Sequence, residues 1–256
     1  MKWRKNLVIN RVNLKKTERL DDLLIDDLKL IQNPDYFCFS LDAVLLANFA
    51  SPKKNSKVLD IGTGSGIISH LMQAKYQVEK IYGIDIQAEL IDMAKRSAKY
   101  NNIEDKLEFI NANIKNGLEV FKRESFDYII SNPPYMKASS GKINLEDKVA
   151  IARHEIECDL EDIIKMSSQL LKYRGKVAYV YRTQRLAELL SLMDKYNLAA
   201  KRLRLIHSQI DKEAKLFLVE GVKGGGVGLD ILAPLILNDD EGKYTEEVKK
   251  IYFPEK

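Results

Sequence analysis

The pattern of apolar and polar positions predicts strands that alternate with helices along residues 57–222. Short apolar runs of strand length occur at 57–61, 80–85, 107–110, 126–130 and 176–181. The segments between them carry apolar residues at helical spacing, which predicts helices at 66–75, 87–100, 160–171 and 183–196. Such alternation is typical of a parallel sheet with helices packed on both faces.

The last two apolar runs, 202–208 and 215–221, are joined by a short polar turn instead of a helix. A parallel crossover needs about a dozen residues or more, so we expect these two strands to pair antiparallel. The sequence therefore predicts an α/β fold. Its sheet has seven strands and is mostly parallel, and the last strand runs antiparallel to the rest.

The length of 256 residues fits one α/β domain, and no linker interrupts the pattern. We expect a single domain over the whole chain, with an N-terminal extension at 1–56, a core at 57–222 and a C-terminal tail at 223–256. The apolar stretch 37–46 is expected to lead into a helix packed on the sheet. Residues 223–228 are too rich in glycine for regular structure.

The composition is that of a globular enzyme, with 45% apolar and 30% charged residues, which excludes collagen-like, disordered and disulfide-rich chains. The two cysteines, Cys38 and Cys158, form no CxxC pair, so a zinc site of paired cysteines is excluded and a reducing compartment fits. No apolar run approaches the roughly 20 residues of a membrane span, and the N-terminus lacks the apolar stretch of a signal peptide. We expect a cytoplasmic protein that binds neither a membrane nor a metal.

The positive charge is concentrated in two places, although the net charge is only +4. The first 20 residues are strongly basic, and Lys201, Arg202 and Arg204 form a second basic run. Basic clusters bind nucleic acid by displacing counterions from its phosphates, but lysine-rich surfaces that are merely solvated are also common. Charge alone leaves both interpretations open.

The first predicted strand passes into the first helix through a glycine-rich loop, Asp60-Ile61-Gly62-Thr63-Gly64-Ser65-Gly66. Glycines let the backbone turn sharply and approach a ligand closely, and the helix N-terminus offers N–H groups to a polar or anionic group. The dinucleotide fingerprint G-x-G-x-x-G/A is not met, because Ile67 stands at its third position. Asp85 ends the second predicted strand, where its carboxylate can accept hydrogen bonds from both hydroxyls of a ribose.

The fourth predicted strand is followed directly by Asn132-Pro133-Pro134-Tyr135. The prolines end the strand and stiffen the loop, at the carboxyl end of the sheet where open α/β sheets bind ligands. The Asn132 side-chain oxygen and the Pro133 carbonyl oxygen can each accept a hydrogen bond from an amino group of a ligand, and Tyr135 can stack on an aromatic ring such as a nucleic-acid base.

The D-x-G-x-G-x-G loop, the acid after the second strand and the Asn-Pro-Pro-Tyr motif together resemble class I methyltransferases, which use S-adenosyl-L-methionine. The resemblance implies a Rossmann-like fold and a cofactor site made of three groups of residues, each of which binds one part of the cofactor. These are Asp60, Gly62, Thr63, Gly64 and Gly66 for the methionine part, Asp85 with its neighbour Ile86 for the ribose, and Asn113 for the adenine. Many relatives carry an acidic residue where Asn113 stands.

The flanking segments are similar to a narrower family, the tRNA1(Val) adenine-37 N6-methyltransferases. The similarity covers 18–24, 37–46, 152–155, 201–204 and 223–247. It implies methylation of the adenine beside the anticodon of a valine tRNA, with tRNA as the partner. Candidate contacts to the tRNA or the target base are Phe39, Arg153, His154, Lys201, Arg202 and Arg204. Core packing of Phe39 and surface ion pairs of Arg153 and His154 are equally good interpretations.

Other functions remain open at this point. The Asn-Pro-Pro-Tyr loop also occurs in methyltransferases that modify adenine or cytosine in other nucleic acids, and in those that modify glutamine amides of proteins. An RNA-binding protein that keeps the cofactor pocket without turnover would carry the same residues. An oxidoreductase on a nucleotide-binding sheet is disfavoured by Ile67 and gives no reason for residues 132–135.

Overall fold

The computed structural model describes residues 12–36, 41–133 and 159–252. Its helices are α1 (Leu41–Phe49), α2 (Ile67–Tyr76), α3 (Ala88–Tyr100), α4 (Gly117–Val120), α5 (Leu160–Leu170), α6 (Leu186–Lys195) and α7 (Glu246–Tyr252), with 3₁₀ turns at Ile114–Asn116 and Thr183–Arg185. Its strands are β1 (Arg19–Asp22), β2 (Lys29–Gln32), β3 (Lys57–Ile61), β4 (Lys80–Asp85), β5 (Leu107–Asn111), β6 (Phe126–Ser131), β7 (Leu171–Arg182), β8 (Leu198–His207), β9 (Ala214–Lys223), β10 (Asp230–Ile231) and β11 (Leu235–Ile236).

One large sheet forms the centre of the fold, with its strands in the order β10-β8-β9-β7-β6-β3-β4-β5. Strands β3 to β7 pair with one another in parallel, whereas β9 lies antiparallel to both β7 and β8. The predicted seven-stranded core with an antiparallel last strand is therefore confirmed. The tail adds two short strands, β10 and β11, which pair in parallel with β8 and which the sequence pattern does not predict.

Alternate residues of the central strands enter two separate hydrophobic cores. In β6, Tyr128 and Ile130 pack among residues of α1, α2 and α3, while Ile129 packs on the opposite face among residues of α5 and α6. All three side chains are at most 1% exposed. Helices on both faces of the sheet are thus confirmed, and α1 is the helix expected after the apolar stretch 37–46.

Helix α5 fills the predicted range 160–171 to within one residue, but β7 begins earlier than the strand predicted at 176–181. Asp159 is its N-cap, and Asp159 and Asp162 form a capping box. A glycine shortly after a predicted helix is typical of a helix C-cap, but Gly175 lies inside β7, which begins immediately after α5. Arg174 there has a φ of 64°, and a Cβ at Gly175 would lie 2.9 Å from the Lys172 carbonyl oxygen. Gly175 therefore permits an irregular backbone within the strand and does not cap a helix.

The two flanks of the core also contain regular structure. Strands β1 and β2 form an antiparallel hairpin, which packs on α3. Of the residues 223–228 that were predicted to lack regular structure, Lys223 is the last residue of β9, and 224–228 contain no helix or strand. Strands β10 and β11 and helix α7 follow them. The division into extension, core and tail stays a prediction. Among the described residues, no helix is both long enough and apolar enough to cross a membrane.

Candidate functional site

The carboxyl ends of β3, β4 and β6 lie side by side at one edge of the sheet. Ile61 at the end of β3 is paired with Ile84 of β4 on one side and with Ser131 of β6 on the other. Parallel strands in this register place the residues that follow them next to one another. The structure thereby brings together three predicted site residues, Gly62, Asp85 and Asn132.

The glycine loop turns in the left-handed region of backbone conformation. Gly62, Gly64 and Gly66 have φ angles of 71°, 57° and 88°, which only glycine adopts without strain. A Cβ at Gly62 or Gly64 would meet no atom within 4 Å, so this side of the loop is open to a ligand. A Cβ at Gly66 would lie 2.9 Å from Phe109 Cζ, so this glycine is also required for packing. The loop combines an open ligand-facing side with a closely packed rear side.

Asp60 anchors the loop from the end of β3 and is 0% exposed. Its Oδ2 accepts hydrogen bonds from Thr63 Oγ1 at 2.7 Å and from Ser69 Oγ at 2.8 Å. Its Oδ1 is buried and has no hydrogen-bond partner among the described residues. Burial raises the pKa of Asp60 to about 6, against the opposing effect of these two hydrogen bonds. Thr63 thus has an observed role in holding Asp60, and its predicted contact to a cofactor stays a prediction.

Asp85 joins the glycine loop to the start of α3. Its Oδ2 accepts a hydrogen bond from Gly64 N at 2.9 Å, and its Oδ1 accepts one from Gln87 N at 2.9 Å. Each carboxylate oxygen has the chemistry to accept more than one hydrogen bond, and binding of the ribose hydroxyls by Asp85 stays a prediction. The adjacent Ile86 is 37% exposed and offers an apolar surface beside that carboxylate.

Two asparagines at and just after the end of β5 stabilise neighbouring turns. Asn111 Nδ2 donates to the carbonyl oxygens of Asp85 and Ile86 at 3.0 and 2.8 Å. Sequence reasoning missed Asn111, although its place at the carboxyl end of a strand was a usable signal. Asn113 caps the 3₁₀ turn at Ile114–Asn116, where its Oδ1 accepts from Lys115 N at 2.9 Å. Contact of Asn113 with a cofactor adenine stays a prediction.

Asn132 and Pro133 follow β6 directly, with Asn132 partly exposed and Pro133 buried. The end of the strand is fixed by Ser131, whose hydroxyl donates to the Ile61 carbonyl oxygen at 2.7 Å. This bond holds the two strand ends together just before the glycine loop and Asn132. Five other predicted site residues lie outside the described residues: Pro134, Tyr135, Phe39, Arg153 and His154.

The basic run on β8 is not brought to this edge; in the strand order, β9, β7 and β6 separate β8 from β3. Its three cations have partners within the chain. Lys201 donates to the carbonyl oxygens of Gly226 and Gly228, and Arg204 donates to Glu247 at 2.8 Å. The Arg202 guanidinium lies 4.6 Å from the centre of the Phe49 ring. These contacts hold the tail and α1 in place, and binding of RNA by these residues stays a prediction.

Two residues behind the loop were not among the predicted site residues. His70 on α2 is buried, with Nδ1 2.7 Å from the Gly66 carbonyl oxygen and its ring stacked on Phe109. Burial lowers the pKa of His70 to about 4, so the ring is neutral at physiological pH. Gln32, at the end of β2, donates to Ser65 Oγ inside the glycine loop. In the part of the chain that the structure describes, no cluster of three or more His, Cys, Asp or Glu is placed to hold a metal ion.

Comparisons with known proteins agree with this arrangement. A family model described as a methyltransferase domain matches residues 52–221. The chain is 28% identical over 223 residues to the tRNA1(Val) (adenine(37)-N6)-methyltransferase of Porphyromonas gingivalis, covering 83% of this chain and 86% of that one. It is 25% identical over 214 residues to the protein of the same name from Aeromonas hydrophila, covering 83% and 87%. A solved structure of a predicted O-methyltransferase from Agrobacterium tumefaciens shares the fold, with a TM-score of 0.67 at 21% identity over 82% of this chain and 95% of that one.

Proposed function

Because the chain belongs to the methyltransferase domain family, we propose that it transfers a methyl group from S-adenosyl-L-methionine to N6 of adenine in tRNA. The finer assignment is adenine 37 of a valine tRNA, the activity in the names of two relatives matched over most of both chains. The observation that carries the proposal is the register of β3 and β6, which sets Asn132 beside the glycine loop.

The residues at this edge fit the cofactor. S-adenosyl-L-methionine, when bound, supplies an electrophilic methyl group on a positively charged sulfur. The open side of Gly62 and Gly64 gives the backbone room to approach the methionine part. The Asp60 carboxylate lies directly behind this loop and holds a negative charge that no cation of the described chain contacts. Asp85 would accept the ribose hydroxyls, and Ile86, which is 37% exposed, would contact the ribose beside it.

Asn132 and Pro133 have the chemistry to bind the target amino group. The lone pair of an exocyclic adenine nitrogen is delocalised into the ring, so the nitrogen is a poor nucleophile. Acceptance of its two N–H bonds by the Asn132 side chain and the Pro133 carbonyl favours a more tetrahedral nitrogen aimed at the methyl group. Fixing two reactants in this orientation supplies much of the rate enhancement. The adenine leaves its stack to reach the pocket, as in other enzymes that modify bases.

The test is transfer of labelled methyl groups from S-adenosyl-L-methionine to total bacterial RNA, followed by nucleoside analysis of the tRNA fraction. We expect labelled N6-methyladenosine with the wild-type protein. Asn132→Ala should lower the rate by about 100-fold or more, since it removes an acceptor used in the transition state. Asn116→Ala is the matched control, because Asn116 is exposed on the 3₁₀ turn, and it should leave the rate unchanged.

The finer assignment is tested with a valine tRNA transcript and a version in which adenine 37 is replaced by guanine. Methylation of the first and none of the second supports adenine 37. Equal labelling of both would overturn that position while leaving tRNA methylation in place. Absence of any RNA product from a protein that binds the cofactor would overturn the proposal. Label in protein glutamine would then identify the alternative substrate.

A further inference from the structure

The N-terminal hairpin, β1 and β2, precedes the region matched by the family model and is attached to α3 by side chains of that helix. Ile31 N donates to Ser97 Oγ at 2.9 Å. Asn101 binds the backbone of Lys29 in both directions, accepting from its N at 2.9 Å and donating to its carbonyl oxygen at 2.7 Å. The backbone groups of β2 that face α3 are thus bonded by side chains of that helix, which fixes the position of β2 along α3.

A second set of contacts fixes the chain just before the hairpin. Arg96 of α3 makes a bidentate ion pair with Glu18, with Nη1–Oε2 at 2.8 Å and Nη2–Oε1 at 2.5 Å. The Glu18 side chain is only 3% exposed, and bidentate pairs of this kind are among the stronger ones. Lys15 adds a pair with Asp92 at 2.7 Å. The hairpin is therefore positioned against the helix that follows Asp85.

Gln32, the last residue of β2, contacts the glycine loop. Gln32 is 1% exposed, and its Nε2 donates to the hydroxyl of Ser65, which is 5% exposed. Ser65 stands between Gly64 and Gly66, both at positive φ. A glycine-rich loop loses much conformational freedom when it is ordered, and a buried donor that binds its central side chain reduces the number of conformations it can adopt.

We propose that Gln32 is a positioning residue of the cofactor site, through which the N-terminal hairpin holds the glycine loop in its binding conformation. The inference rests on the proposed use of S-adenosyl-L-methionine. Gln32 acts through Ser65 and contacts no reacting atom, so its loss affects cofactor affinity and not the chemical step. By linkage, bound cofactor stabilises the docked hairpin as much as the docked hairpin favours the cofactor.

The first test measures binding of S-adenosyl-L-methionine and S-adenosylhomocysteine to the full-length protein by calorimetry. Gln32→Met keeps the side-chain length in a buried position but removes the donor. We expect it to weaken binding of both ligands by about 3- to 10-fold, with kcat at saturating cofactor unchanged. Lys29→Met is the matched control from the same strand, because the Lys29 side chain pairs with Asp22 within the hairpin, and it should leave binding unchanged.

A double-mutant cycle separates this role from general damage to the fold. Ser65→Ala removes the acceptor, so adding Gln32→Met to it should weaken binding no further. Additive losses would overturn the proposal, since Gln32 would then act by another route. Equal binding by wild type and Gln32→Met would also overturn it. Failure of the wild type to bind the cofactor would instead overturn the proposed function, so the two failures are distinguishable.

Hydrogen exchange, with S-adenosylhomocysteine at a saturating concentration for each variant, tests the same linkage without a measurement of activity or affinity. The Ile31 amide, bonded to Ser97, reports whether β2 is docked on α3. We expect added S-adenosylhomocysteine to slow exchange of this amide in the wild type and to have a smaller effect in Gln32→Met. No slowing in the wild type would contradict the linkage between hairpin and loop.

Discussion

Asp60 and Glu220 are both buried carboxylates, 0% and 1% exposed, but their surroundings differ. Glu220 Oε2 accepts hydrogen bonds from Ser51 and Tyr128 at 2.6 and 2.7 Å, and its Oε1 lies 3.2 Å from Lys176 Nζ and 3.3 Å from Arg202 Nη1. Asp60 has two hydroxyl donors on one oxygen and none on the other. One carboxylate is neutralised by cations of its own chain, and the other has no cation in contact among the described residues.

The difference separates a structural charge from one suited to a ligand. Burial alone would raise the pKa of Glu220, but its hydrogen bonds and the two cations hold that pKa below its ordinary value. Burial raises the pKa of Asp60 to about 6, because its hydrogen bonds only partly offset the loss of water. A buried charge that lacks a partner costs stability unless a ligand supplies one. The cofactor proposed for this site carries positive charge and would do so.

The largest change in stability is expected when Glu220, the carboxylate that has cation partners, is neutralised. Glu220→Gln keeps an acceptor for Ser51 and Tyr128 but leaves Lys176 and Arg202 without their counter-charge. Because both cations are about one-third exposed, the free energy of unfolding should fall by about 2–3 kcal/mol rather than the larger cost of a fully buried pair. Urea denaturation at neutral pH measures this difference.

The control for that variant is Glu213→Gln, in the exposed turn just before β9. It makes the same chemical change where no burial is involved, so it should alter stability by no more than about 0.5 kcal/mol. Equal losses from both variants would show that the loss of a negative charge as such, and not the buried network, destabilises the protein.

Neutralising Asp60 should instead raise the free energy of unfolding. Asp60→Asn can still accept the hydroxyls of Thr63 and Ser69, and it removes a charge that the apo protein does not balance. The rise of the Asp60 pKa from 3.8 to about 6 corresponds to about 3 kcal/mol. The amide NH2 that replaces the buried Oδ1 finds no acceptor there and costs part of this gain, so we expect the variant to be about 1–2 kcal/mol more stable than the wild type at pH 8. Binding of S-adenosyl-L-methionine should weaken by about tenfold or more, since the negative charge behind the loop is lost. Asp105→Asn, at an exposed position, should change neither quantity.

The pH dependence gives the sign of the Asp60 effect a second test. The folded state binds a proton on Asp60 more readily than the unfolded state, so this group costs stability as pH rises from 3.8 to about 6. The advantage of Asp60→Asn should therefore be full above pH 6 and should vanish toward pH 4. Cofactor affinity of the wild type should fall as pH drops through about 6. An advantage that is constant with pH would point to the hydrogen bonds rather than the charge.

The same contrast explains what could be predicted from the sequence. The strands, the glycine loop and Asn132 have local signals, namely apolar runs, an acid beside glycines, and prolines directly after a strand. Glu220 has none, because it stands in an ordinary strand and its partner Ser51 is 169 positions away. Gln32 is 33 positions from Ser65, and nothing near it in the chain indicates that contact. The basic run at 201–204 carries a local charge signal, but its ion-pair partners lie in distant segments.

The smallest changes in stability are expected for two lysines that lie on the same strand, β7. Lys176 Nζ is 3.2 Å from the buried Glu220, whereas Lys172 Nζ is 2.6 Å from Asp127, whose side chain is 36% exposed. Distance alone would rank the Lys172 pair as the stronger one. Because water screens the exposed pair, we expect Lys172→Gln to cost about 0.5 kcal/mol or less. Lys176→Gln should cost about 1 kcal/mol, with Arg202 still balancing Glu220. The reverse order in urea denaturation would mean that the Glu220 network depends on Arg202 and the two hydroxyls, and that Lys176 adds little to it.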